Sequence, residues 1–362
     1  MKAFSKSDAK IIAFPKRKNI FAIILENEKY MQNFKKLPAV LGIGNALVDV
    51  INSLENDSVL EMFGLPRGSM ILVDAELSET IYDKTKFDKR EITTGGSAAN
   101  TIYSLASLGG SCGYLGKIGS DKLGEVFRAE LERKNIDTHL FYSEKNTGRV
   151  MSLVSKDSER TMATYLGAAA DLKVEDLKEV NFGNYSWLYI EGYLVQDHKL
   201  IETAIDLARE QGLKIAIDLS SFNVVESNLQ FLRKLISNKV DIVFANEEEA
   251  LAFTGKQPEG ALDEIAAMCE IAVVKVGKEG SFIKRSDEKV KIDTIKAVAI
   301  DSTGAGDNYA AGFLYGLTKG FSLAKSGKIA ALISGRVVEV MGAKLPEFVW
   351  SGILMEIDAM EN

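Results

Sequence analysis

Apolar runs of strand length, spaced by segments of helical periodicity, constrain the fold of this chain more than any other feature of its sequence. The runs at 40–44, 112–118, 187–190, 213–217, 241–245 and 271–276 are of strand length. Segments 97–108, 121–134, 199–211, 228–238 and 247–254 read as helices, with Asp121 placed as an N-cap. Strands alternating with helices predict an α/β fold, a mostly parallel sheet flanked by helices on both faces. Ligands on such sheets bind beyond the carboxyl ends of the strands.

Two regions break the rhythm. Segments 46–51 and 69–73, then 149–154 and 160–165, alternate like half-exposed strands with no helix between them. They predict a small antiparallel sheet over the ligand edge of the main domain. Residues 1–36 are lysine-rich and without a convincing period, and are expected to form a tail outside the fold, with Met31 as an alternative start.

Composition narrows the function classes. Of 362 residues, 46% are hydrophobic and 26% charged, enough for a sizeable core. A formal net charge of -7 argues against nucleic acid as a partner, so any anion site must be local. No run approaches the ~20 apolar residues of a membrane span. Cys112 and Cys269 sit in apolar sequence and read as reduced core thiols of a cytoplasmic protein. With only His139 and His198 available, a catalytic base is expected to be a carboxylate.

The chemistry concentrates in Asp301-Ser302-Thr303-Gly304-Ala305-Gly306-Asp307, which leads into a helix expected at 308–317. Gly304, Ala305 and Gly306 let backbone approach a ligand, and the free N–H groups of a helix start suit a phosphoryl group. Asp307, in the first turn, is placed to accept a proton from an attacking hydroxyl. The plain alternative is a turn that caps a helix, with Asp307 complementing its dipole.

Other segments point the same way with less force. The strand carrying Lys275 runs into Gly277-Lys278-Glu279-Gly280, a turn suited to a nucleotide's phosphates or to an ordinary hairpin. Asn246-Glu247-Glu248-Glu249 follows another strand, where acids order Mg²⁺ through water or simply start a helix. Gly95-Gly96 joins a strand to the helix carrying Asn100, as a hinge or a close substrate approach. Gly42-Ile43-Gly44 lacks the third glycine of a dinucleotide fingerprint, which falls at Leu47, and no Walker-type phosphate loop is present.

Together these segments resemble the ribokinase-like (PfkB) family of sugar and nucleoside kinases from about 37 to 346. The 301–307 segment is similar to its C-terminal signature, and Gly95-Gly96 with Asn100, and 116–124, to its N-terminal one. The resemblance implies a Rossmann-like kinase domain at 37–350 with a β lid from about 46–74, 90–95 and 147–166, followed by a C-terminal extension at 351–362. It implies ATP and Mg²⁺, and in many members a monovalent cation, potassium favoured. On it Asp307 is the base and the amides of 304–307 the anion hole. Asn246 and Glu249 organise magnesium, Glu249 through water, and Lys275, Thr303, Gly277 and Gly280 lie on the nucleotide side.

Within the family the similarity is nearest to the adenosine kinase branch, which implies transfer to a nucleoside 5′-hydroxyl. Asn45 and Asp49 then match its ribose-binding pair, Asp49 taking two hydroxyls, with Gly96 and Asn100 adding contacts. Arg160 is a phosphoryl clamp or a surface arginine. The aromatic expected to stack on adenine is Leu194 here, or shifted to Tyr193. A free-sugar kinase, another purine nucleoside kinase, and a non-catalytic sensor remain as alternatives, and monomer and homodimer are both open.

Overall fold

The computed structural model describes residues 39–86, 89–157 and 159–361, so the tail expected at 1–36 lies outside the described residues. In chain order the first strands are β1 (Val40–Ile43), β2 (Leu47–Ser53), β3 (Met70–Leu72), β4 (Lys89–Gly95), β5 (Cys112–Gly119), β6 (Asp137–Ser143) and β7 (Gly148–Val154). Then come β8 (Arg160–Tyr165), β9 (Trp187–Glu191), β10 (Lys214–Asp218), β11 (Ile242–Asn246), β12 (Ile271–Lys275), β13 (Ser281–Arg285) and β14 (Glu288–Ile292).

The apolar runs form the centre of a nine-stranded sheet in the order β14-β13-β12-β11-β10-β9-β1-β5-β6. Pairings from β12 across to β6 are parallel, and only the β12–β13 and β13–β14 pairs are antiparallel. Successive residues of a strand face opposite ways. Tyr189, Ala216, Phe244 and Val273 therefore enter one apolar cluster, and Leu188, Ile217, Val243 and Val274 the other. Burial on both faces is why β9 to β12 read as near-continuous apolar runs.

Helices Ser97–Ser107, Ala305–Thr318, Leu323–Val337 and Trp350–Asp358 bury residues in the first cluster. Helices His198–Glu210, Leu229–Lys239, Glu247–Thr254 and Pro258–Ala266 do so in the second. Within the extension expected at 351–362, Ile353 and Ile357 are buried in the first cluster, as is Trp350 just before it. No helix among the described residues is long and apolar enough to cross a membrane.

The segments that broke the rhythm form a second, five-stranded sheet, β3-β8-β7-β2-β4. It is mixed rather than antiparallel: β2–β4 and β7–β8 run antiparallel, but β2–β7 and β3–β8 run parallel. The parallel partners come from segments far apart in the chain, so no tight hairpin dictates their direction.

The hairpin between β12 and β13 depends on one residue. Gly280 has φ 93° and ψ −128°, and a Cβ there would lie 1.9 Å from the Ile292 carbonyl oxygen. Gly212 also has positive φ, at 79°, but nothing within 4 Å of a built Cβ. Gly280→Ala is expected to lower unfolding free energy by roughly 3 kcal/mol, the upper end for a backbone forced out of its allowed region. Gly212→Ala should cost only about 1 kcal/mol. Urea unfolding of both variants checks this, and equal losses would show that the Ile292 contact is not what demands glycine.

Candidate active site

The strands of the main sheet end along one edge, and the polar residues of interest lie at those ends. Helix Ala305–Thr318 begins there, three residues earlier than the sequence suggested, after Gly304 with φ 72°. A Cβ on Gly304 would lie 2.4 Å from that of Ala343, so the bend admits no larger residue without movement. Asp301 braces the bend. One oxygen accepts the Thr303 N–H (3.0 Å) and hydroxyl (2.7 Å), the other the Gly342 N–H and Arg160 Nη2, both at 2.7 Å. Partial burial works against ionisation of Asp301, but these donors outweigh it and hold its carboxyl below the usual range. Arg160, on β8, also donates to the Thr303 hydroxyl at 3.0 Å, so this arginine reaches the bend from the second sheet.

Of the amides at the bend, Ala305 N–H donates to the Ser302 carbonyl at 3.2 Å. Those of Gly304, Gly306 and Asp307 make no backbone hydrogen bond among the described residues. Of the four amides expected to form a cradle, three are thus left without a backbone partner among the described residues, and the first helical amide is drawn into the turn. Lys275 supplies charge beside it: its Nζ lies 3.1 Å from where a Cβ on Gly306 would be. That ammonium bonds Asp218 at 2.9 Å. Burial alone would lower its pKa, yet the charges of Asp218 and Glu249 raise it, and it stays protonated.

Asp307 is met by a second helix start. Gly96, with φ 91°, caps helix Ser97–Ser107, and a Cβ there would sit 2.2 Å from the Asn45 carbonyl oxygen. Ser97 Oγ donates to Asp307 Oδ1 at 2.7 Å and Asn100 Nδ2 to Oδ2 at 2.9 Å. Burial pushes the Asp307 carboxyl up to about 6, against the pull of these two donors. Asn100 Oδ1 is buried and has no hydrogen-bond partner among the described residues. Asn308, next along, is fully buried and satisfied by Gly304 O, Ala343 O and Ser104 Oγ.

Asp49 stands on β2, within electrostatic reach of Arg160, Lys344, Asp301 and Asp307. Burial raises its pKa to about 6, with the two cations opposing. A Cβ on Gly95 would fall 2.4 Å from its Oδ1, so glycine at 95 makes room for the carboxylate. Lys344 holds Glu130 at 2.8 Å and also bonds the Thr94 hydroxyl. Asn45 donates through Nδ2 to the buried Glu191 at 2.7 Å.

Asn246 and Glu249 form a capping box on helix Glu247–Thr254, their side chains 2.8 Å apart. Glu249 is buried, and that burial, aided by Asp218, raises its pKa. No group of three or more His, Cys, Asp or Glu able to hold a metal occurs among the described residues. That donor set does not suit a protein-caged ion. It does fit Mg²⁺, which keeps several waters and binds one or two carboxylates together with substrate phosphates. Gly277 and Gly280 lie in the β12–β13 turn, separated from Lys275 by Val276.

The histidines lie elsewhere: His139 bonds the Tyr185 hydroxyl at 2.7 Å, and His198 stacks on Phe231. Leu194 is buried in the second core cluster, whereas Tyr193 is only partly buried. Sequence reasoning did not single out Ser97, Asp218, Glu191 or Lys344. Ser97 follows Gly95-Gly96, and Glu191 and Asp218 follow the strand runs at 187–190 and 213–217, but Lys344 meets Thr94 across 250 residues and carries no local signal.

A profile of the pfkB family carbohydrate kinases matches residues 68–348. Adenosine kinase 2 of Arabidopsis thaliana is 26% identical over 336 residues, covering 85% of this chain and 96% of the relative. The structure of adenosine kinase from Sinorhizobium meliloti superposes with a TM-score of 0.77 at 35% identity, covering 87% of this chain and 98% of its own. A structure from Rhizobium etli described as a "probable sugar kinase protein" gives 0.78 at 33%, covering 89% and 99%. The two-sheet architecture, the helix start at Gly304 and this family match agree, and the chain belongs to the pfkB family of carbohydrate kinases.

Proposed function

We propose that this kinase transfers the γ-phosphoryl group of ATP to the 5′-hydroxyl of a nucleoside, adenosine first, with Asp307 as general base. The observation that carries the reading is the Asp307 carboxylate, held by Ser97 and Asn100 beside three unengaged amides and the Lys275 ammonium. The acceptor hydroxyl gives its proton to Asp307 as its oxygen bonds the γ-phosphorus, and the bond to the bridging oxygen breaks to release ADP. The amides of Gly304, Gly306 and Asp307 and the Lys275 charge face the charge that develops on the phosphoryl oxygens.

Asp49 accepts the 2′- and 3′-hydroxyls, and the unpartnered Asn100 Oδ1 accepts a further donor from the acceptor. Arg160 clamps the transferring group, with Thr303 beneath it. Asn246 and Glu249 order Mg²⁺ through water, and Gly277 and Gly280 let backbone close on the nucleotide. The second sheet serves as a lid that excludes water. The 35% identity to an adenosine kinase over most of the chain supports the nucleoside assignment. A sugar acceptor is the second reading, favoured by the 33% identical sugar kinase and by the burial of Leu194, which offers no ring to a base.

ADP release across a panel of adenosine, other purine nucleosides, ribose and fructose, with and without K⁺, separates these readings. Adenosine is expected to give the highest kcat/KM, and a preference for a free sugar overturns the nucleoside reading. Asp307→Asn should lower kcat by roughly a hundredfold or more, the scale of losing a general base. Turnover near that of the parent removes Asp307 from the role. Asp49→Ala should raise the acceptor KM more than it lowers kcat, and an unchanged KM speaks against the hydroxyl contact.

The pH dependence has two opposite signs. Activity should fall as pH drops through about 6, because protonated Asp307 cannot accept a proton. Stability should move the other way. Asp49 and Asp307 rise from 3.8 to about 6 and Glu191 from 4.5 to about 7, so between these values the folded state holds more protons than the unfolded one. Stability contributed below pH 4 is lost as pH rises toward 7. Ligand-free protein should therefore melt higher at pH 5 than at pH 7.5, with a smaller difference in Asp307→Asn. An unchanged difference in that variant would show that Asp307 does not carry the effect.

A further inference from the structure

A carboxylate outside the transfer chemistry sits at the junction that aims Asp307. Glu191, the last residue of β9, is 1% exposed. Its Oε2 accepts the Ala98 N–H at 3.0 Å, and its Oε1 accepts Asn45 Nδ2 at 2.7 Å and Asn45 N–H at 3.3 Å. Burial pushes its pKa up to about 7, these three donors pull it down, and the Asp307 charge pushes it up again. An isolated buried carboxylate is costly, and the donors that offset part of that cost here all come from two other segments.

Those segments are the ones that matter for Asp307. Ala98 lies between Ser97 and Asn100, whose side chains hold the Asp307 carboxylate. Its helix is capped by Gly96, which has no side chain to satisfy the first free amides, so Glu191 supplies from across the sheet what a local cap would supply. The corner after β1 is shaped to receive it: a Cβ on Gly44 would lie 2.5 Å from Glu191 Oε2 and 2.6 Å from the Ala98 Cβ. The same corner leads into β2, which carries Asp49.

We propose that Glu191 is a positioning residue for phosphoryl transfer, locking the Gly44–Asn45 corner to the first turn of helix Ser97–Ser107 so that Ser97 and Asn100 keep Asp307 aimed at the acceptor. This rests on the reading of Asp307 as the base. Without Glu191, the Ala98 amide and the Asn45 side chain lose their acceptor, the first turn shifts, and both donors leave the Asp307 carboxylate together. Lys275, at the end of β12, and Glu249, in the first turn of helix Glu247–Thr254, are held by Asp218 and Asn246 and not by this junction.

Steady-state kinetics of Glu191→Ala, Glu191→Gln, Ser97→Ala, Asp307→Asn and the Glu191→Ala/Ser97→Ala double variant test it. Glu191→Ala is expected to lower kcat on the order of a hundredfold, the loss for a catalytic group displaced by about an ångström. The KM for ATP should stay near that of the parent. In the Ser97→Ala background the same substitution should cost less in kcat, because both act through Asp307, while its cost in melting temperature stays the same. Losses in kcat that simply multiply, or a kcat near the parent's, overturn the proposal. If Glu191→Ala does not fold, Glu191→Gln, which keeps volume and one acceptor oxygen, is read by the same criteria. Turnover kept in Asp307→Asn overturns the base reading and this proposal with it. Turnover lost there but kept in Glu191→Ala overturns this proposal alone.

Discussion

Two helix N-termini, at Gly96 and Gly304, converge on the Asp307 carboxylate, and Ser97 reaches it across 210 residues of chain. A helix start leaves amide donors that nothing within the helix satisfies, so placing two of them at one point creates a local need for negative charge. Asp307 answers part of that need. What is left, at the amides of Gly304, Gly306 and Asp307, is the capacity to receive an anion. The nine-stranded sheet enforces the meeting, because helices Ser97–Ser107 and Ala305–Thr318 bury residues in the same apolar cluster. Asn308 then fixes the spacing by tying Gly304 and Ala343 to Ser104 of the facing helix.

A net charge of -7 is no obstacle to a phosphate ligand once each cation is placed individually. Lys275, Arg160 and Lys344 are each held by a carboxylate: Asp218, Asp301 and Glu130. Pairing keeps a partly buried cation charged and at a fixed point, where a free surface lysine would be solvated and mobile. On the proposed reading, the arriving polyphosphate meets cations already oriented, and the carboxylates set their geometry.

Much of this was legible in the sequence where the residue pattern itself is the cause. β9 to β12 are read directly because burial on both faces requires continuous apolar residues. The Asp121 cap is read because the donor it satisfies, Gly124 N–H, lies three residues away. β13 and β14 escape notice because Lys284, Arg285, Lys289 and Lys291 interrupt any apolar run on an edge hairpin. Strand direction in the second sheet is equally hidden, since β2 and β7 are joined by distant chain rather than a turn. In the site, Asp307 is visible from its own neighbours, whereas Lys344 and Glu191 act through partners 250 and 146 residues away.

That division follows from what each residue does. On the proposed reading, Asp307 must sit in a bend that only small residues can make, so its role leaves a local mark at 304–306. Residues that orient it need only present the right atom at the right place, and any strand end facing the junction will serve. The cost is borne in stability. Asp49, Asp307 and Glu191 are kept in surroundings that favour their protonated forms, so ionising them works against the fold. A core built for stability alone would replace such groups with apolar ones. Asp307 and Glu191 keep donors from other segments and Asp49 keeps only the nearby charges of Lys344 and Arg160, so on the proposed reading their raised pKa values are a cost accepted for a binding site.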